Sequence, residues 1–251
     1  MSVPTRPDHA TALRLPQYER PGGVHPPLDT PAYRSSTLRH PTRPLVWLPH
    51  NLTEVTGPLF GRDRVAPGDD DLTRRHGGQA QGQRIVVHGQ VLDSDGRPVP
   101  DTLIEVWQAN AAGRYRHERD TWGAPLDPHF DGLGRVLTDA VGRYSFTTIR
   151  PGAYPWRNHH NAWRPAHIHL SLFGRAFTQR LVTQLYFPGD PLFGLDPIFM
   201  SVPDPAARDR LISRYDHERT VPEWALAYRF DVVLRGCAAT PFETIDHDAE
   251  G

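Results

Sequence analysis

Arg84-Ile85-Val86-Val87-His88-Gly89-Gln90-Val91-Leu92 is the stretch whose reading decides the fold. Its β-branched residues suit a pleated strand. Asp93-Ser94-Asp95-Gly96 turns the chain, and Pro98-Val99-Pro100-Asp101 leads into a second strand over Thr102-Leu103-Ile104-Glu105-Val106-Trp107. Asp139-Ala140-Val141-Gly142 is another turn, ahead of Arg143-Tyr144-Ser145-Phe146-Thr147-Thr148-Ile149, and Pro151-Gly152 ends that strand. Further strands are expected over Ala166–Phe173, Arg180–Phe187 and Tyr228–Leu234. One helix is expected over Pro205–Arg214, with Asp204 as N-cap and Ala207, Leu211 and Ile212 as its apolar stripe. Short strands between Gly/Pro turns, with one late helix, indicate a mainly β fold: a β-sandwich with an irregular N-terminal arm.

Upstream of this block, residues 1–80 are read as an arm. Pro21-Gly22-Gly23 and Pro26-Pro27 interrupt any helix beyond a short turn over Ala10–Tyr18. Leu45-Val46-Trp47-Leu48 is an apolar run suited to an edge strand or a plug. Asp69-Asp70-Asp71 with Arg74-Arg75-His76-Gly77-Gly78 reads as a solvated or disordered loop. Trp47 and Phe60 favour an arm that wraps a partner or its own domain over a disordered tail. Residues 81–236 are then the sandwich itself, and 237–251 a C-terminal tail.

Composition narrows the function classes. A formal net charge of -1 over 251 residues gives no general attraction to nucleic acid or to an anionic membrane. A single cysteine, Cys237, excludes an internal disulfide framework and thiolate-rich metal sites. The N-terminal residues lack the apolar core of a signal peptide, and no apolar run is long enough to span a bilayer. The expectation is a soluble, cytoplasmic protein.

The chemistry concentrates in Tyr154-Pro155-Trp156-Arg157-Asn158 and Trp163-Arg164-Pro165-Ala166-His167-Ile168-His169. On a strand, alternation sends His167 and His169 to one face and Ile168 to the other. Two imidazoles on one face, with the Tyr154 phenol on the loop leading in, look like a metal site. Tyr115, in Gly113-Arg114-Tyr115-Arg116-His117, is a second phenol. A phenol titrates near pH 10, so a strongly charged cation must be close to deprotonate it at neutral pH. Phenolate is a hard anionic donor and favours Fe(III) over Fe(II), Zn(II) or Cu(I). Two phenolates and a hydroxide neutralise Fe(III), which allows burial without net charge. No Asp or Glu lies close in sequence to the His-x-His pair, which weakens a site of two histidines and one carboxylate.

With these residues in hand, the chain resembles the intradiol ring-cleaving dioxygenases, and among them the iron-bearing β chains. The resemblance rests on Glu105-Val106-Trp107-Gln108-Ala109-Asn110, Gly113–His117, Tyr154–Asn158, Trp163–His169, Thr183-Gln184-Leu185-Tyr186-Phe187 and Leu226-Ala227-Tyr228-Arg229-Phe230-Asp231. Glu54-Val55-Thr56-Gly57-Pro58 in the arm fits as well. It implies a non-haem Fe(III) cofactor held by Tyr115, Tyr154, His167 and His169, with Tyr154 leaving as substrate binds and taking part in catalysis. It implies a catalytic role for Arg164 beside the substrate ring. Trp156, Gln184 and Ile198 are implied to line the pocket, and Tyr33 to lie near the substrate carboxylate. The implied reaction opens protocatechuate (3,4-dihydroxybenzoate) with O2, between its hydroxyl-bearing carbons, to 3-carboxy-cis,cis-muconate in the β-ketoadipate pathway of aromatic catabolism. The implied partner is an α chain in a hetero-oligomer, with a small catechol-type molecule as substrate. One departure is Arg157-Asn158-His159-His160-Asn161, whose adjacent histidines read as solvent-exposed loop residues.

Two other readings stand beside this one. Gly89-Gln90-Val91, Gly96-Arg97-Pro98-Val99-Pro100, Thr138–Phe146 and Ile149–Tyr154 also resemble transthyretin-like sandwich modules, which bind or space rather than catalyse. Within the dioxygenases, catechol or hydroxyquinol is the alternative substrate.

Overall fold

The structure, a computed structural model, describes residues 23–43, 62–156, 160, 163–174 and 180–242. The readings of 10–18, 45–48, Glu54–Pro58, Trp47 and Phe60 lie outside the described residues, as do Arg157, Asn158, His159 and Asn161. Strands dominate: β1 (Arg84–Leu92), β2 (Leu103–Gln108), β3 (Leu133–Leu137), β4 (Arg143–Ile149), β5 (Tyr154–Pro155), β6 (Trp163–Arg164), β7 (His167–Phe173), β8 (Leu181–Tyr186), β9 (Arg214–Val221), β10 (Ala225–Arg229) and β11 (Val232–Val233). Among the described residues three short α-helices accompany them: α1 (Arg34–Arg39), α2 (Pro197–Met200) and α3 (Pro205–Asp209).

One sheet is built on β1, which pairs antiparallel with β4 on one side and parallel with β10 and then β11 on the other; β9 is the edge beyond β10. The second sheet runs β3-β2-β7-β8. Ile85, Val87, Val91 and Phe146 of the first sheet join Ile104, Val106, Ile168, Leu170, Leu172 and Leu185 of the second in one buried core. The mainly β fold is as the sequence indicates.

Details depart from it in instructive ways. The strand expected over Tyr228–Leu234 is two. Phe230 N–H donates to His88 O, while the Asp231 carboxylate, not a backbone carbonyl, accepts from Gln90 N–H. This break requires Gly89, because a Cβ there would sit 1.8 Å from Phe230 O. The helix expected to run from Pro205 to Arg214 stops at Asp209. Asp204 caps it as anticipated, accepting from Ala206 N–H, and Ala207 and Leu211 are buried. The chain then leaves helical geometry because β8 claims its backbone: Tyr186 N–H donates to Leu211 O, and Ser213 N–H donates to Tyr186 O. Arg214 instead begins β9, a strand whose mostly exposed side chains carry little apolar alternation.

The segment Asp69–Gly78 is not simply a solvated loop. Arg135 of β3 donates its N–H to Asp69 O, Thr147 of β4 donates to Asp70 O, and Leu72 N–H donates to Thr147 O. Leu72 is wholly buried in the core and Ala80 joins it. The stretch therefore ties one edge of each sheet together. Further up the arm, Val24 packs among Tyr186, Phe199, Val202, Ala207, Leu211 and Ala239 in a second cluster. The described residues of the arm thus cover part of their own domain.

Candidate active site

Strand register assembles the site. β7 lies between β2 and β8, so His169 sits opposite Trp107 on one side and Gln184 on the other, while His167 sits opposite Tyr186. Alternation puts both histidines on one face and sends Ile168, fully buried, into the core. The two-stranded ribbon of β5 and β6 places Tyr154 directly across from Arg164. Tyr115 comes from the loop after β2, which Asn110 knots. The Asn110 Oδ1 accepts from Ala112 and Arg114 N–H, and its Nδ2 donates to Pro125 O. Gly113 lets this loop press against the segment before Tyr154: φ is +74°, and a Cβ would meet Ala153 O at 2.2 Å.

The four predicted donors come together. His167 Nε2 is 3.2 Å from His169 Nε2 and 3.3 Å from Tyr154 Oη. The Tyr115 ring meets Tyr154 edge-on, with centroids 5.3 Å apart. His167 Nδ1 is 2.7 Å from Pro165 O, a contact that fixes the proton on Nδ1 and leaves the Nε2 lone pair facing the other donors. His169 has no hydrogen-bond partner at Nδ1 among the described residues; its ring is instead stacked flat on Trp107.

Arg164, almost fully buried, sits beside the donors. Its Nη1 is 3.1 Å from His167 Nε2 and 3.5 Å from Tyr154 Oη. Its Nη2 donates to Gln184 Oε1 (2.7 Å), Tyr186 Oη (2.9 Å) and Asp196 Oδ2 (2.9 Å). The guanidinium lies 5.5 Å from the Trp156 ring centroid, and Trp156 in turn packs against Tyr33 at 5.0 Å. Arg39 of α1 donates from Nη2 to the Tyr33 hydroxyl. Ile198, on α2, lines a small cavity with Gln184 and Tyr186. Every predicted site residue is therefore in this region, Tyr33 and Ile198 at its margins. His160, expected to face solvent, is exposed.

The electrostatics suit a cation. Burial, aided by Arg164, holds His167 well below the usual imidazole range; His169 is held down by burial, His167 and Arg164. Both rings are neutral near pH 7 and offer lone pairs. Burial pushes the Tyr154 phenol up, against the pull of Arg164, so a phenolate at this position calls for positive charge close by. Among the described residues, no group of three or more His, Cys, Asp or Glu could hold a metal. The nearby carboxylates are engaged elsewhere, Asp196 with Arg164 and Asp190 with Ala166 and Leu192 N–H. A metal here must use the phenols, and two phenols with two imidazoles suit a hard trivalent ion.

Sequence reasoning assigned no role to Trp107, Tyr186 or Asp196. The first two stand in motifs quoted above, and Tyr186 shares the face of Gln184 by simple alternation, a usable signal. Asp196 has none: it sits between a 3-10 turn (Phe193–Leu195) and α2, and reaches Arg164 only through the fold.

A family model described as "Dioxygenase" matches residues 55–236, and one described as "Protocatechuate 3,4-dioxygenase beta subunit N terminal" matches residues 18–51. The chain is 58% identical to the protocatechuate 3,4-dioxygenase beta chain of Burkholderia cepacia, over 87% of this chain and 94% of that protein. It is 32% identical to the protocatechuate 3,4-dioxygenase alpha chain of Pseudomonas putida, over 79% of this chain and 98% of that one. Among solved structures, catechol 1,2-dioxygenase from Acinetobacter sp. ADP1, inhibited by bound mercury, matches with a TM-score of 0.51 at 26% identity, covering 65% of this chain and 55% of that chain. The chain belongs to the intradiol dioxygenase family, in its protocatechuate 3,4-dioxygenase beta-chain branch.

Proposed function

We propose that this chain is the catalytic β chain of an intradiol dioxygenase that opens protocatechuate with O2 to 3-carboxy-cis,cis-muconate, with Tyr115, Tyr154, His167 and His169 holding Fe(III). The observation that carries the reading is the convergence of Tyr154 Oη and the two histidine Nε2 atoms beside Arg164 Nη1, in a chain 58% identical to such a β chain. Held by Tyr115, Tyr154, His167 and His169, ferric iron would supply Lewis acidity toward a catechol diol and its activation toward dioxygen.

The residues do the rest. His167 and His169 stay neutral and hold their places. Tyr154 takes one catechol proton at Oη, which lies 3.5 Å from Arg164 Nη1. Arg164 presents a fixed positive charge to the anionic ring and to charge that develops on the attacked carbon's substituents. Its immobilisation by Asp196, Gln184 and Tyr186 means that little reorganisation is needed. Trp156 and Ile198 wall the ring, and Tyr33, held by Arg39, faces the substrate carboxylate.

The same reading pairs the chain with a separate α chain, as the α and β proteins among its relatives suggest. Residues 1–80 act as an arm ahead of the sandwich of 81–236, partner-facing except where Asp69–Ala80 packs into the sandwich, with 237–251 as a tail. The described residues contain no helix long and apolar enough to cross a membrane. The exposed single thiol of Cys237 suits a reducing cytoplasm.

The test is to co-express the chain with its α chain, measure iron, and assay protocatechuate, catechol and hydroxyquinol. Stoichiometric iron and opening between the hydroxyls of protocatechuate are expected. Opening outside the diol would reject the assignment, a preference for catechol or hydroxyquinol would reject the substrate, and an iron-free complex would favour the non-catalytic sandwich module.

A further inference from the structure

Arg164 can serve the site only if its guanidinium keeps one edge toward the donors. Nothing in its own strand secures this, since β6 is two residues long and its neighbour Trp163 is exposed. The opposite edge is gripped by Asp196. Its Oδ1 accepts from Arg164 Nε at 3.3 Å, and its Oδ2 accepts from Nη2 at 2.9 Å. A two-point grip on Nε and Nη2 fixes the plane of the guanidinium and leaves Nη1 as the edge that reaches His167 and Tyr154. The carboxylate is fully buried. Burial opposes the Arg164 charge most strongly of any single influence; Asp196, together with Tyr186 and Tyr154, outweighs it and holds the guanidinium well above its ordinary range.

Asp196 also has a second hold. It is the N-cap of α2, where Oδ1 accepts from Ile198 N–H at 3.1 Å. Oδ2 additionally accepts from Tyr186 Oη at 3.2 Å, and that hydroxyl also contacts Gln184. One side chain therefore links the arginine, the pocket-lining Ile198 and the Gln184–Tyr186 pair of β8, while lying outside the donor set itself.

We infer that Asp196 is the positioning residue for the reaction: it aims Arg164 Nη1 at the reacting ring and, by capping α2, fixes the pocket wall at Ile198 relative to that arginine. The inference rests on the functional reading above and deepens it. Asp196 acts through Arg164, so it governs turnover rather than metal retention.

The test uses the assembled α/β enzyme. Ring opening by the wild type is measured first; its absence sinks the functional reading, and this inference with it. Asp196→Asn keeps the cap and the shape but weakens the grip. It should retain wild-type iron content and visible absorption, while kcat falls by about tenfold or more and KM changes much less. In an Arg164→Gln background the same change should cost little further, because the two act as one unit. Wild-type kcat in Asp196→Asn, or losses that simply multiply in the double variant, would overturn the inference. Should Asp196→Asn not accumulate as folded enzyme, Arg164→Lys decides. Lysine keeps the charge but cannot grip Asp196 and reach the donors at once. It should lose turnover much as Arg164→Gln does; a lysine enzyme with wild-type kcat would show that charge alone suffices and that aiming by Asp196 does not matter.

Discussion

Trp107 and His169 face each other as cross-strand partners on β2 and β7, with their rings parallel to within 6° and 4.7 Å between centroids. His169 has no hydrogen bond at Nδ1 among the described residues, so this stack is what sets its ring plane. His167, by contrast, is oriented through Pro165 O. Trp107→Leu should therefore loosen His169 selectively. Iron affinity should fall by about tenfold or more, as for other supports of a ligand. Chelator competition monitored by the visible band checks this; unchanged iron retention would show that the stack is only packing.

Tyr115 and Tyr154 should separate spectroscopically. If both bind iron as phenolates, each contributes visible charge-transfer absorption. Tyr115→Phe should weaken or shift the resting band. Tyr154→Phe should do so as well, but its difference from wild type should shrink once substrate is bound, if that phenolate leaves on binding as the resemblance implies. An unaltered resting spectrum in Tyr115→Phe would remove it from the donor set.

Gly89→Ala should be among the most damaging small substitutions in the sandwich. The added methyl meets Phe230 O at 1.8 Å, at a carbonyl that also accepts a hydrogen bond from the buried Tyr144 hydroxyl. Backbone must move, and a destabilisation of about 3 kcal/mol is expected for such overpacking. Tyr144→Phe removes only that hydrogen bond and should cost about 1 kcal/mol. Urea midpoints at constant slope measure both, and a Gly89→Ala midpoint near wild type would contradict the close approach.

His88 predicts a pH dependence of stability. Burial lowers its pKa from 6.5, Arg219 and Arg229 lower it further, and Asp216, with Oδ2 2.9 Å from Nε2, opposes them. In the window between the lowered folded pKa and 6.5, the unfolded chain binds more protons, so stability rises with pH there. The contribution is complete above pH 6.5 and is lost as pH falls through that window. His88→Gln should flatten this part of the stability profile; an identical profile would show that other groups cause the acid loss.

Much of the molecule was legible from residues alone. The β1 and β4 bounds follow directly from their β-branched runs and turn residues, and β2, β7 and β8 lie within a residue of expectation. Two edges carry no clear apolar signal in the sequence: β3 is five residues long and its buried positions include Gly134, which has no side chain to mark them, and β9 is mostly exposed. Helix α3 was overextended because Leu211 and Ile212 fit a helical stripe, while their backbone is claimed by β8. The Asp69–Asp71 charges suggested solvent, yet their backbone groups knit β3 to β4.

By itself, the sequence determined the donor types and the face they share: a two-residue repeat along a strand is local geometry, so His167 and His169 had to point together. It also favours a hard ion as the proposed metal, because that preference follows from phenols and imidazoles as chemical groups. Only the tertiary structure decided what lies across from them. The Trp107–His169 stack, the Tyr154–Arg164 opposition and the grip of Asp196 on Arg164 depend on register between segments that are distant in the chain. That register is set by how both sheets bury their apolar faces together, a property of the whole core rather than of any one stretch.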